Sequence, residues 1–138
     1  MKLTLDVPPG ATGEFAMAVT PQVTVAHFHP EMPAVLGTPF LIYAMEVAAS
    51  EAMKPHLPEG WASVGAEVNV KHLAATPVGG TVTARATVVG SEGTLVRFAI
   101  EARDEHGLVG EGTHVRAAVE LSRFYSRLER RTADSTRG

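Results

Sequence analysis

Three residues of this chain have the types and spacing that acyl transfer to water requires: Thr38, Glu46 and His72. A hydroxyl, a carboxylate and an imidazole together supply a nucleophile, a base and a proton carrier. Thr38 and Glu46 lie eight residues apart in the segment Gly37 to Pro55. In a helix that spacing is about 12 Å along the axis, so the two cannot touch each other. A reaction using both needs a substrate that bridges them, or a second group from a neighbouring subunit. Each residue also has a plain structural role open to it. Thr38 is a good helix N-cap, Glu46 fits a narrow solvated stripe, and a lone histidine on an apolar strand face is often structural.

The elements that must hold these groups are readable. Pro39 falls at the first helical position, where its missing N–H costs nothing. Leu41, Ala44, Met45, Ala48, Ala49 and Ala52 are good helix formers, and Pro55 and Pro58 end the run. The apolar residues cover most of the circumference, which predicts burial on more than one side. Glu46 shares the ridge Thr38, Ile42, Glu46, Ser50, Lys54. Downstream, four segments alternate with a period of two, the signature of antiparallel strands with one buried face. His72 continues the row Ala62, Val64, Ala66, Val68, Val70, so alternation points it to the apolar side. Thr76, Pro77 and Gly79 follow, placing it near a strand end. In the last strand Val109, Thr113, Val115, Ala117, Val119 and Leu121 form the core row, with His114 and Arg116 on the outward one. Upstream, residues 1–13 read as a lead-in, Glu14 to Val25 as a strand bent near Pro21, and His27 to Gly37 as loop. Glu120 to Arg131 reads as a terminal helix or a frayed strand end, and about 125–138 as a C-terminal tail. Together these predict one α+β domain over 1–138, with a sheet of about five strands curled round one long helix.

Composition narrows the function classes. The chain has 138 residues and a net charge of −3, with an isoelectric point near 6.0. Nucleic acid is not the expected partner, since phosphate backbones need clustered Lys and Arg. The basic residues that do cluster, around Arg127, Arg130 and Arg131, read as a solvated tail. There is no cysteine, which excludes disulfides, thiolate metal sites and a cysteine nucleophile. The segment MKLTLDVPPG lacks the apolar core of a signal peptide, and no apolar run is long enough to span a membrane. The expected location is the cytoplasm. His27, His29 and Glu31 lack a matching third ligand at metal-site spacing, so no metal is expected. No GxSxG, P-loop or GxGxxG motif is present.

Taken jointly, these segments resemble the hotdog-fold acyl-CoA thioesterases, and within them the fluoroacetyl-CoA thioesterase group. The resembling stretches are Thr38 to Pro55, Ser63-Val64-Gly65, residues 72–77, residues 80–83 and residues 110–117. Also matching are the Thr–Glu spacing of eight and the Glu–His spacing of 26. The resemblance implies a sheet wrapped round the central helix, and a homodimer or dimer of dimers with active sites at the subunit interface. It implies catalytic roles for Thr38, Glu46 and His72, a close approach of Gly65 to the substrate, and a binding role for Arg116. The substrate implied is an acyl-CoA thioester, with no cofactor. In one place the chain departs from the group. The loop before the threonine has no aromatic residue between Glu31 and Gly37, carrying Met32 and Leu36 instead. Short acyl groups without strong fluoroacetyl selectivity are therefore expected. Two other functions fit the same cleft: a non-catalytic acyl-CoA sensor and a related-fold enoyl-CoA hydratase, although the Asp/His signature of the latter is not evident.

Overall fold

The computed structural model describes residues 5–137. In chain order the elements are β1 (Thr12–Ala18), α1 (Val25–Phe28), α2 (Thr38–Met53), β2 (Trp61–His72), β3 (Thr81–Glu92), β4 (Leu95–Asp104), β5 (Gly107–Glu120) and α3 (Leu121–Arg137). The five strands form one antiparallel sheet in the order β1-β3-β4-β5-β2. Its inner face packs on α2, so β1 and β2 are the two edges.

The centre of the sheet follows the predicted alternation. Val82, Ala84, Ala86 and Val88 of β3, and Val96, Phe98, Ile100 and Ala102 of β4, are buried against Leu41, Ala44, Met45, Ala48, Ala49, Ala52 and Met53 of α2. The small residues of α2 let the sheet come close. At Gly13 of β1 a Cβ would collide with the backbone carbonyl of Ala48, so only glycine permits this approach. The opposite side of α2 is open in a single chain: Tyr43 is 56% exposed, and Ile42, Val47 and Ser50 are half-buried. Burial of α2 on more than one side is therefore not met within one chain.

Several boundaries differ from expectation. β1 ends at Ala18, and Pro21–Val23 form a 3-10 turn leading into α1. Pro21 lacks the N–H a strand would use. Leu5 and Val7 of the expected lead-in are core residues. The expected loop begins only after α1, which takes in His27 and Phe28, and it is pinned by bridges from Thr24 to Leu36 and from Val35 to Pro77. Gly37, not Thr38, occupies the cap position of α2, and no side chain caps the helix. The chain end expected as a tail continues from β5 as α3.

The outermost rows on the β2 side are inverted by bulges. Gly65 pairs with Arg116 and Glu67 with Val115, leaving Ala66 extra. Ala102 pairs with Gly110 and Arg103 with Leu108, leaving Val109 extra. An extra residue shifts the parity of everything after it. Val68, Val70 and His72 thus share the inner face with His114, Gly112 and Gly110. On the other side of the bulge it is Ser63 and Gly65, not Ala62 and Val64, that face inward beside Ala118 and Arg116. His114 and Arg116, expected outside, are 1% and 6% exposed.

Candidate active site

Thr38 and His72 meet directly. With no capping duty, the Thr38 hydroxyl turns to the end of β2, and Oγ1 lies 2.8 Å from Nδ1 of His72. Gly110 faces His72 across the ladder; a Cβ there would fall 2.8 Å from the Lys71 carbonyl and 3.0 Å from Leu41 Cδ2. The other ring nitrogen, Nε2, is buried and has no hydrogen-bond partner among the described residues. Leaving such a group unmatched costs about 1–3 kcal/mol, which is tolerable at a site that later engages another molecule.

Glu46 sits in the middle of α2 in a different setting. Its Oε2 lies 3.8 Å from Nη1 of Arg116, and the carboxylate side chain is 38% exposed. Gly65 faces it: a Cβ at Gly65 would fall 3.1 Å from Oε1. Arg116 is held from behind. Its Nε donates to Ser63 Oγ at 2.9 Å and its Nη2 to the Ser63 carbonyl at 3.0 Å. Its Nη1 lies 3.2 Å from Nε2 of His114. His114 Nδ1 is 2.7 Å from the Glu67 carbonyl, which can only accept. Nδ1 therefore carries the proton, and Nε2 is free to accept from Arg116. Burial pushes the His114 pKa down and the Arg116 charge pushes it further, against the bond to Glu67 and the charge of Glu46. Burial also draws the Arg116 pKa down while Glu46 holds it up; the guanidinium stays charged regardless.

The sequence-predicted residues thus fall into two groups. Thr38 joins His72 near the start of α2. Glu46, Gly65 and Arg116 meet about two helical turns away, given eight residues at ~1.5 Å each. No hydrogen bond links the groups among the described residues. The residues expected on the substrate side have different surroundings. Leu36 is 1% exposed, belongs to the core cluster and donates its N–H to the Thr76 carbonyl. Arg116 lies on the inner face, with three of its five N–H donors engaged by Ser63 and His114. Met32 is exposed in the loop, as a wall residue needs. Sequence reasoning missed Ser63 and His114, whose inward placement depends on the bulges. Near the start of α2, Phe28 of α1 stacks on Phe40 at 6.2 Å. A groove of about 700 Å³ lies on the outer face of the sheet among Lys71, Arg85, Glu101 and Glu111. It contains none of the three chemistry-bearing residues. No cluster among the described residues could hold a metal ion, and no helix there is long and apolar enough to cross a membrane.

Comparison with known proteins gives this arrangement a context. The family described as fluoroacetyl-CoA-specific thioesterase matches residues 19–122. A fluoroacetyl-CoA thioesterase of Streptantibioticus cattleyicolor is 38% identical over 120 residues, covering 83% of this chain and 86% of its own. Among solved structures, the fluoroacetyl-CoA thioesterase FlK superposes with a TM-score of 0.84 at 34% identity, over 91% of this chain and 97% of that one. A Thermus thermophilus hypothetical protein, described as a thioesterase superfamily member, gives 0.89 at 27% identity, over 96% and 98%. The curled five-stranded sheet round α2 is therefore the expected hotdog fold.

Proposed function

This chain belongs to the fluoroacetyl-CoA-specific thioesterase family and is a thioester hydrolase, and on that premise we propose that it hydrolyses short acyl-CoA thioesters with Thr38, His72 and Glu46. The observation that carries this reading is the 2.8 Å contact between Thr38 Oγ1 and His72 Nδ1. In it, the imidazole orients the hydroxyl and moves protons to and from it. Glu46 acts on the thioester carbonyl carbon, as nucleophile or as the base that activates water. Either route consumes one water and releases one carboxylic acid and one CoA thiol. Arg116, 3.8 Å from the Glu46 carboxylate, helps to aim it, an indirect contribution to substrate handling. Gly65, with no side chain between β2 and Glu46, leaves space for the substrate carbonyl beside the strand.

The working unit in this reading is a dimer, or a dimer of dimers, with each site drawn from two chains. Three features support it. Thr38 and Glu46 are too far apart to act on one carbonyl from one helix. β2 is a twelve-residue edge strand without proline, and an open edge of that kind is a template for pairing with another chain. The uncovered side of α2, with Ile42, Tyr43 and Val47, offers apolar surface for a second copy. The absence of cysteine fits a cytoplasmic enzyme. No cofactor takes part in the proposed steps.

For the acyl group, the exposed Met32 beside the start of α2 supports tolerance, because methionine repacks readily. The test is a thiol-release assay over acetyl, fluoroacetyl and longer acyl-CoA thioesters. Steady release from short thioesters is expected. Binding of acyl-CoA without any release would overturn the hydrolytic reading.

A further inference from the structure

The reaction above leaves one part of its substrate unaccounted for. Coenzyme A carries a diphosphate and a ribose phosphate, and polyanions of this kind are held by arginine forks. Arg116 is turned instead toward Ser63, His114 and Glu46 on the inner face, with three of its five N–H donors already engaged. The rest of the chain is acidic. Of its 12 Lys and Arg and 15 Asp and Glu, four Arg and a single Glu fall between Leu121 and Ala133. That stretch is the beginning of α3.

α3 leaves the domain from the end of β5 and is solvent-exposed along its described side chains. Arg123, Arg127 and Arg130 line one face with Ser122 and Ser126, around a groove of about 300 Å³. The spacing of four and then three residues stacks these guanidinium groups on one ridge. Arg123 lies 3.7 Å from Glu120, while Arg127 and Arg130 have no carboxylate partner among the described residues. Three arginines crowded on one exposed ridge repel one another, an arrangement that an anion would relieve.

The position of α3 matters as much as its charge. The Leu121 N–H donates to the Gly60 carbonyl at 2.9 Å, and Trp61 pairs with Glu120. The root of α3 is thus fixed at the Trp61 end of β2. If two copies pair along β2 antiparallel to each other, the Trp61 end of one meets the His72 end of the other. The basic helix of one copy then rises beside the Thr38–His72 pair of its partner.

We infer that the Arg123–Arg127–Arg130 ridge of α3 is a phosphate-binding site that holds the nucleotide end of the CoA thioester for the partner's Thr38–His72 pair. This rests on the two-chain thioesterase reading, but its test does not depend on turnover. Adenosine 3′,5′-bisphosphate, which carries no thioester, is titrated calorimetrically against wild type, an Arg127→Gln/Arg130→Gln double variant and an Arg127→Lys/Arg130→Lys double variant. Wild type is expected to bind. The Gln pair is expected to bind about tenfold more weakly or worse, as losing two exposed charge-assisted contacts implies, and the Lys pair to recover most of the loss. Binding by wild type should weaken with added salt, as for exposed charges generally. In turnover, the ratio of KM for acetyl-CoA to KM for acetyl-pantetheine should rise about tenfold in the Gln pair, by the same estimate. Equal bisphosphate affinity in wild type and the Gln pair overturns the proposal. So does sedimentation of wild type with phosphatidylglycerol vesicles without bisphosphate binding, which would make α3 a membrane-surface helix. Bisphosphate binding lost in the Gln pair, with no hydrolysis of any thioester by wild type, keeps the phosphate site and removes the thioesterase reading.

Discussion

The start and the middle of α2 carry chemistry in opposite ways. At the start, Thr38 and His72 are joined by one hydrogen bond, and the other imidazole nitrogen is buried without a partner among the described residues. In the middle, Glu46 is charged and flanked by a guanidinium that is itself held by two bonds to Ser63 and one contact to a buried His114. The first arrangement leaves one imidazole nitrogen open to a further partner, as a proton carrier needs. The second holds a guanidinium in one place beside a carboxylate that is itself 38% exposed, which gives the carboxylate a fixed neighbour to aim it. A proton shuttle needs freedom, whereas a nucleophile or base acting at carbon needs positioning.

The comparison predicts that changes at the start of α2 cost activity without stability. His72→Asn and Thr38→Ala should each lower kcat by about 10²–10⁴, the range for a lost proton-transfer group. Their midpoints in denaturant should stay close to wild type, since neither residue anchors the core. A large stability loss in both would mean that the pair is structural. Changes around the middle should do both kinds of damage. Arg116→Met should destabilise by about 1–3 kcal/mol, because Ser63 and His114 lose their buried partner, and kcat should fall as well. Stability loss with unchanged kcat would show that Arg116 does not support Glu46 in catalysis.

Gly65→Ala sharpens the contrast further. The new Cβ would sit 3.1 Å from Glu46 Oε1, which is too close for the carboxylate to keep its place. A drop in kcat of roughly tenfold is expected, as for a small misplacement of a reacting group, with stability nearly unchanged. Unchanged kcat would show that the carboxylate can move without consequence.

How far the sequence discloses these two arrangements differs, and the reason is physical. Thr38 and His72 were legible because each is fixed by local rules: a helix start set by Pro39, and a strand end set by alternation after the bulge. The rows of β3 and β4 were legible for the same reason. The Glu46 setting was not. His114 and Arg116 belong to an alternating strand whose apolar row is Val115, Ala117 and Val119, and period two alone puts them outside. The extra residues Ala66 and Val109 reverse that, and both are ordinary apolar residues with no local mark of a bulge. The N-cap reading of Thr38 failed in a similar way, because the competing partner lies 34 residues away. α3 was half legible, since helix and frayed strand end were both open from residues alone.

The smaller effects concern pH and selectivity. Burial holds the His114 pKa below its unfolded value, so the unfolded chain takes up a proton that the folded chain refuses. Folding stability should therefore fall as pH drops below about 6.5, the unperturbed histidine value. His114 contributes at most about 1.4 kcal/mol per pH unit to that slope. His114→Gln should flatten the fall between about pH 6.5 and 5, read from denaturant midpoints at several pH values. An unchanged slope would assign the acid sensitivity elsewhere. Selectivity should be modest, with kcat/KM for fluoroacetyl-CoA and acetyl-CoA within roughly two orders of magnitude, as a small apolar pocket allows. A preference of many thousandfold would mean that residues outside 31–37, with Phe28 and Phe40 foremost, discriminate between the acyl groups.

The central claim is that the two arrangements serve one carbonyl from different chains. It is tested most directly by co-expressing a Thr38→Ala chain with a Glu46→Ala chain and measuring thiol release from acetyl-CoA. Each variant alone should be inactive. In random two-fold dimers half the assemblies are mixed, and each mixed dimer keeps one intact site of two. Activity should therefore return to about a quarter of wild type per chain by that symmetry argument. Mixed dimers, confirmed by differential tags, that stay as inactive as either parent would contradict the account.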